Sequence, residues 1–269
     1  MDGGNPVTVQ EIYDLINEKA PFSLQESWDR SGLLVGDFKQ EVRKVLLTLD
    51  ITLPVIEEAK MKQADLILSH HPVIWDPLRT ISPSHPVWHL VTNNIAAICA
   101  HTNLDIAEGG LNDMFGDMLA EKGVIERQYA PFDVLSEGRV LGRSGVLKAE
   151  TDARSLASVL KAVSKCEDIR YYCGKHADCI KKIAWCTGSG GDMIDTAVAI
   201  GADALITADC KHSYWADAQN LDFTMFDCGH FHTEVIAVNW FLNILTEAAP
   251  ELEAVISDAG TKPFFEVLK

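Results

Sequence analysis

Positive charge is scarce in this sequence. Its 269 residues include 23 lysines and arginines against 39 aspartates and glutamates, which gives a formal net charge of −16. Bulk binding of nucleic acid and docking on anionic lipid both need clustered cations, so the composition argues against either partner. With 47% hydrophobic and 23% charged residues, the chain is close to the average globular protein, which excludes a disordered or fibrous one.

Long apolar runs are also missing. No segment approaches the roughly 18–20 consecutive apolar residues that a membrane-spanning helix needs. The first residues lack the basic region and the apolar stretch of a signal peptide. We therefore expect a cytoplasmic protein that does not associate with a membrane.

Closely spaced cysteine pairs are absent as well. The seven cysteines form no Cys-x-x-Cys pair, the close spacing that is common in structural zinc sites. Their odd number and the lack of a secretory signal favour free thiols in a reducing compartment. Because four of them recur every six or seven residues from Cys166 to Cys186, a metal-binding cluster there is the alternative.

Apolar runs alternate with helical periodicity along most of the chain. Residues 44–50, 65–69 and 95–100 are continuous apolar runs, typical of strands that are covered on both faces. Between and after them, segments such as 53–62 and 111–121 show a helical apolar spacing. The alternation predicts an α/β fold with mostly parallel sheets flanked by helices.

The second half of the chain repeats this alternation. Residues 229–245 show helical periodicity throughout and are predicted as one helix. The segment 129–138, which contains Pro131 and Gly138, is the candidate crossing between two lobes.

The first candidate site residues follow a predicted strand. His70 and His71 come directly after the apolar run 65–69 and precede Pro72. Catalytic groups of open α/β sheets lie just beyond the carboxyl ends of strands. Since adjacent side chains diverge on an extended backbone, two neighbouring histidines can reach two neighbouring metal ions. A pair of solvent-facing loop histidines is the alternative.

Two further segments offer imidazole and carboxylate groups at predicted strand ends. Asp105 follows the run 95–100, where an acidic side chain can ligate a cation or cap a helix. His230 and Glu234 are four residues apart, so they share one face of a predicted helix. Three such strand ends predict a dinuclear metal centre with the ligands His70, His71, Asp105, His230 and Glu234.

These ligands come from distant parts of the chain, so the fold must bring its two ends together. We predict that residues 1–128 and 228–269 form one metal-binding α/β lobe. Residues 129–227 are predicted to form a second α/β lobe.

The chain resembles the GTP cyclohydrolase 1 type 2 homolog family, also called the NIF-three-like family. Segments 69–75 (SHHPVIW), 101–105 (HTNLD) and 229–234 (GHFHTE) are similar, in order and spacing, to its three metal-binding blocks. Segments 27–37 (SWDRSGLLVGD), 186–194 (CTGSGGDMI) and 201–210 (GADALITADC) resemble further blocks. The resemblance implies a two-lobed NIF-three-like fold in its short form, without an inserted domain. It also implies the same five residues as metal ligands.

The resemblance implies a metal-dependent hydrolase that acts on a nucleotide or a related heterocycle. GTP is one candidate substrate, with hydrolytic attack at C8 of the purine and release of formate. Two divalent ions are expected per chain, and zinc, manganese, iron, nickel and magnesium all remain open. A homo-oligomer in the form of a hexameric ring is also implied. A two-metal phosphoesterase and a non-enzymatic metal-binding adaptor are the alternatives.

Several residues near these blocks have two interpretations. His101 is predicted as the catalytic proton donor beside the metals, with hydrogen-bonded support of the site as the alternative. Asp29 is a candidate hydrogen-bond partner of a ligand histidine, whereas we interpret Trp28 as a packing residue. The glycine-rich loop 188–191 is either a phosphate cradle or a tight turn without a ligand.

Overall fold

The structure is a computed structural model, and it describes residues 7–132 and 141–266. The described chain divides into two compact units. The first unit extends to Glu108 and resumes over Val235–Lys262. The second unit comprises Gly109–Glu234 and the chain from Pro263.

The helices and strands are named here in chain order. The strands are β1 (Val7–Thr8), β2 (Gly32–Val35), β3 (Glu41–Val42), β4 (Lys44–Thr48), β5 (Leu66–Ser69), β6 (Ala96–Cys99), β7 (Ala130–Pro131), β8 (Arg143–Thr151), β9 (Arg170–Tyr172), β10 (Ile180–Ser189), β11 (Ala204–Ala208), β12 (Thr224–Asp227) and β13 (Glu253–Ile256). The helices are α1 (Val9–Lys19), α2 (Leu53–Lys62), α3 (Pro86–Thr92), α4 (Thr102–Ile106), α5 (Leu111–Glu121), α6 (Ala153–Ser164), α7 (Ile194–Ala199), α8 (His212–Asn220), α9 (His230–Glu234) and α10 (Ala237–Ala248).

The main sheet of the first unit has five strands in the order β13-β4-β5-β6-β2. The first four run parallel to one another, and β2 pairs antiparallel with β6 at the edge. Every residue of β5 and β6 is buried, as expected for parallel strands that are covered on both faces. On one face, Leu46, Ile67 and Ala97 of neighbouring strands pack against Val55 and Ile56 of α2.

The sheet of the second unit has six strands in the order β7-β8-β10-β11-β12-β9. Its β10, β11 and β12 are parallel, and the remaining pairs are antiparallel. Trp185 of β10 is fully buried, and its indole N–H donates to the carbonyl oxygen of Asn112 on α5, at 2.8 Å. Gly116 of α5 has no side chain where a Cβ atom would come within 2.8 Å of this indole. The absent side chain therefore lets α5 lie close against β10.

The predicted α/β class with mixed, mostly parallel sheets and flanking helices is confirmed. The boundaries between the compact units lie after Glu108 and after Glu234. Helices α5 and α9 belong to the second unit because α5 packs on β8 and β10 and α9 packs on β10 and β11. The lobe boundaries predicted at 128/129 and 227/228 remain a prediction. Of the predicted crossing segment, residues 133–138 lie outside the described residues.

The predicted helix over 229–245 is interrupted. The structure has α9 up to Glu234 and a separate α10 from Ala237. No proline or internal glycine marks this break in the sequence, so local chemistry did not reveal it. Among the described residues, no helix is both long enough and apolar enough to cross a bilayer.

Candidate metal centre

Three histidines of the first unit lie together at the carboxyl ends of two neighbouring strands. His70 and His71 follow β5, and His101 follows β6 by one residue. Because β5 and β6 are paired in parallel, both strands end at the same edge of the sheet. Each of the three residues can offer one ring nitrogen, and these nitrogens lie within 4.8 Å of one another. The three residues are called the histidine cluster below.

An oxygen atom holds Nδ1 of every ring in the histidine cluster. The pairs are His70 with the carbonyl oxygen of Ala100 at 2.8 Å, His71 with Oδ1 of Asp50 at 2.7 Å, and His101 with Oδ1 of Asp29 at 2.8 Å. Since a carbonyl or carboxylate oxygen only accepts, these contacts assign the proton to Nδ1 and the lone pair to Nε2. Metal-ligating histidines in proteins are held in this way by an outer oxygen.

Asp105 adds a carboxylate to the first unit. It lies on α4, the short helix that begins immediately after His101, and it is buried. Its Oδ1 is 3.7 Å from Nε2 of His70, too far for a hydrogen bond but close enough for both to bind one cation. The alternative of a helix cap is wrong, because Asp105 is the fourth residue of its helix.

A buried carboxylate orients His101. Asp29 accepts hydrogen bonds from the amide and hydroxyl of Thr102 at 3.0 and 2.6 Å and from the Ser31 hydroxyl at 2.9 Å. Burial opposes ionisation of this carboxyl, but the hydrogen bonds from His101, Thr102 and the Arg30 amide outweigh it. They hold the pKa of Asp29 well below its usual value. Asp29 therefore stays anionic and stabilises His101 in either protonation state.

The second unit contains a smaller donor pair on α9. Nε2 of His230 is 2.7 Å from Oε2 of Glu234, one helical turn later. Nδ1 of His230 is 2.8 Å from Oδ2 of Asp209, so a carboxylate again holds Nδ1. The other ring nitrogen, Nε2, faces the carboxylate of Glu234. The expectation that His230 and Glu234 share one helical face is met.

The glycine-rich loop 188–191 lies against this pair. A Cβ atom on Gly188 would overlap Oε1 of Glu234, and the residue has a φ of +65°. The amide of Gly188 donates to the Thr233 hydroxyl at 3.0 Å, and that of Gly190 donates to the Thr207 hydroxyl at 2.8 Å. Two amides of the loop thus already donate to hydroxyl groups of the protein and are not directed at a ligand. This favours the tight turn over the phosphate cradle.

Sequence reasoning missed the residues that hold the ring nitrogens. Asp50 and Asp209 were not among the candidates, although each follows a buried strand, β4 and β11 respectively. The rule that selected the candidate ligands, a polar group just beyond a strand end, also selects both aspartates. Asp29 binds His101, which is not among the five predicted ligands.

Two other interpretations can be compared with the structure. Trp28, which was interpreted as a packing residue, is not buried in the core: it is 56% exposed, and its ring meets that of His101 edge-on. All seven cysteines are free thiols, as expected, and no cysteine occurs in the metal-compatible groups of the described residues.

Comparison with known proteins gives consistent matches over nearly the whole chain. Residues 7–263 match the sequence model of the family described as Duf34/NIF3 (NGG1p interacting factor 3). A Clostridium perfringens protein named GTP cyclohydrolase 1 type 2 homolog is 33% identical over 262 residues, covering 95% of this chain and 98% of that protein. A Helicobacter pylori protein named GTP cyclohydrolase 1 type 2 is 33% identical over 239 residues, covering 84% and 86%. The crystal structure of a Staphylococcus aureus hypothetical protein has a TM-score of 0.86 and 25% identity, covering 98% of this chain and 100% of that one.

Proposed function

This chain belongs to the Duf34/NIF3 family, and on that premise we propose that it is a metal-dependent hydrolase of a nucleotide or a related heterocycle. The family resemblance inferred from the sequence is thereby confirmed. GTP is the first substrate to test, because relatives carry the name GTP cyclohydrolase 1 type 2.

The proposed metal ligands are the five residues that the sequence singled out: His70, His71, Asp105, His230 and Glu234. Three imidazoles and two carboxylates suit two divalent ions of the zinc, manganese, iron or nickel type, with magnesium less favoured by the nitrogen ligands. One observation carries the proposal: each of the three imidazoles has its Nδ1 held by an oxygen atom. A carboxylate or carbonyl in that place prepares Nε2 for a metal.

The bound ions would activate a water molecule and polarise the atom that it attacks. His101 would transfer the proton. Its Nδ1 donates a hydrogen bond to Asp29, which leaves Nε2 to accept a proton from the water and to donate it to the leaving group. The anionic Asp29 stabilises the imidazolium in between. On GTP, one water would add at C8 and break the C8–N9 bond, which leaves a formamide on N7. A second water would then hydrolyse that formamide, release formate and leave a free amine.

The test combines metal analysis with product analysis. The purified protein is loaded with each candidate metal in turn and incubated with GTP, and formate and phosphate are both measured. We expect about two ions per chain, and formate release that stops with a chelator and returns with a divalent metal. Replacement of Glu234 or His70 by alanine should remove metal while the chain stays folded.

The alternatives predict other outcomes of the same experiment. Phosphate release without formate would support a two-metal phosphoesterase. Metal retained through dialysis, with neither product formed, would support a non-enzymatic adaptor. A protein that takes up no metal would overturn the proposed centre itself.

A further inference from the structure

Two tryptophans of the first unit are exposed at the histidine cluster. The side chain of Trp28 is 56% exposed and that of Trp75 is 46% exposed. Indole is among the largest apolar surfaces that a side chain can offer, and neighbouring exposed apolar groups commonly mark a binding site. Trp28 precedes β2, and Trp75 lies in the loop that follows β5.

Both indoles pack on the same imidazole. The ring centroid of Trp75 is 5.1 Å from that of His101 at an interplanar angle of 90°, and the centroid of Trp28 is 6.0 Å from it at 72°. Trp75 also lies 6.5 Å from the ring of His71. Both exposed indoles therefore contact the ring to which we assign proton transfer.

The backbone at Trp28 is held firmly. The guanidinium of Arg30 donates to the carbonyl oxygens of Trp28 and Asp29 at 2.9 and 2.7 Å. The side chain of Asp29 in turn accepts hydrogen bonds from Thr102, the first residue of α4. The backbone at Trp28 is thus fixed before any ligand arrives, which lowers part of the entropic cost of binding against its side chain.

From these contacts we infer that Trp28 and Trp75 form an aromatic subsite for a planar heteroaromatic ring of the substrate. Such a ring stacks on an indole face, which is a common way for a protein to hold a base whatever its sequence. The inference rests on the proposed function, because the ring is that of the substrate and His101 lies beside it. It goes further by naming the part of the substrate that this chain recognises and the residues that do so.

The experiment measures binding of a nucleoside, which carries the ring without any phosphate. Guanosine and adenosine are titrated into the full chain by calorimetry, with and without added metal. Replacing Trp28 or Trp75 by leucine should weaken binding by about tenfold each, because an apolar side chain remains but the stacking face is lost. Replacing either by phenylalanine should restore most of the affinity.

Trp88 provides a matched control. It lies on α3, and its side chain is 39% exposed. The Trp88→Leu variant should bind both nucleosides like the unchanged protein. Because all three tryptophans are partly exposed, we expect the melting temperatures of the variants to stay close to that of the parent.

Several results would overturn the inference. Absence of nucleoside binding to the unchanged protein would do so. So would Trp28→Leu and Trp75→Leu variants that bind nucleoside as tightly as the unchanged protein. So would a matching loss of ribose 5-phosphate affinity, because that ligand has no aromatic ring. A different result would count against the proposed function alone. In that result the protein still binds nucleoside through its tryptophans, but it takes up no metal or hydrolyses no nucleotide.

Discussion

His101 has both a position and a hydrogen bond that suit proton transfer. One of its ring nitrogens can join those of His70 and His71 around a common point, yet its Nδ1 is held by an ionised aspartate. The same ring can therefore serve as a third nitrogen ligand or as a proton carrier. Metal content and turnover distinguish these two roles.

We predict that His101→Ala lowers turnover by about a hundredfold or more while metal content stays near that of the parent, because a proton carrier is lost and no ligand is. Metal analysis and a steady-state assay on the same preparation check this. His89→Ala, a histidine of α3 outside the histidine cluster, is the control. Parallel loss of metal and activity would show instead that His101 is a ligand or its support.

Gly188 tests the position of Glu234. In Gly188→Ala the new methyl group collides with Oε1 of Glu234, so we predict that the carboxylate is displaced and that bound metal falls by half or more. Gly201→Ala is the matched control, since its φ of +71° brings the same backbone strain, about 1 kcal/mol, with no atom within 4 Å of the new Cβ. Metal analysis and thermal unfolding of both variants give the comparison. Equal metal content in the two variants would contradict the prediction.

Helix α2 is tied to the chain that follows β13 through one buried carboxylate. Oε2 of Glu58 accepts from the Ser257 hydroxyl at 2.6 Å and from the Ala259 amide at 3.0 Å, and Oε1 accepts from Nζ of Lys62 at 2.6 Å. Burial raises the pKa of this carboxyl, but the hydrogen bonds outweigh burial and lower its pKa to about 2. The contact joins segments that lie nearly 200 residues apart in the sequence.

This depressed pKa predicts a defined pH window. A carboxyl whose folded-state pKa is depressed stabilises the fold above its unfolded pKa of about 4.5 and loses that contribution as the pH falls toward about 2. Glu58→Gln should therefore lower the free energy of unfolding by on the order of 2 kcal/mol at neutral pH. The difference from the parent protein should shrink between those two pH values.

Urea unfolding at a series of pH values measures this difference. Glu57→Gln is the control on the same helix, because Glu57 is exposed and its hydrogen-bonded partner is Lys60 of the same helix. We expect the control to change stability by a few tenths of a kcal/mol at most. A difference for Glu58→Gln that stays constant across the window would rule out ionisation of Glu58 as its cause.

For the whole molecule, the family resemblance implies a hexameric ring. Soluble oligomers usually have closed symmetry, and a hydrophobic content of 47% leaves apolar surface for interfaces. Light scattering coupled to size exclusion should report about 178 kDa, the mass of six 29.6 kDa chains. A 29.6 kDa species at micromolar concentration would reject the assembly.

Local sequence patterns were enough to predict three of the five strands of the first unit's main sheet and the polar residues that follow two of them. β4, β5 and β6 are short apolar runs, and His70, His71 and Asp105 stand just after two of them. Apolar periodicity and the position of a residue relative to a strand end are properties of a few consecutive residues. For that reason these strands and the positions of the polar residues beside them were predictable without knowledge of the fold.

Other features depended on segments that meet only in the folded chain. Asp29 and His101 are 72 residues apart, and His70 and the carbonyl of Ala100 are 30 apart, so no local pattern pairs them. The break between α9 and α10 and the exposure of Trp28 were likewise decided by tertiary structure. The physical reason is that burial and hydrogen-bond partnership are set by which surfaces pack together, whereas strand and helix propensity are written in each short segment.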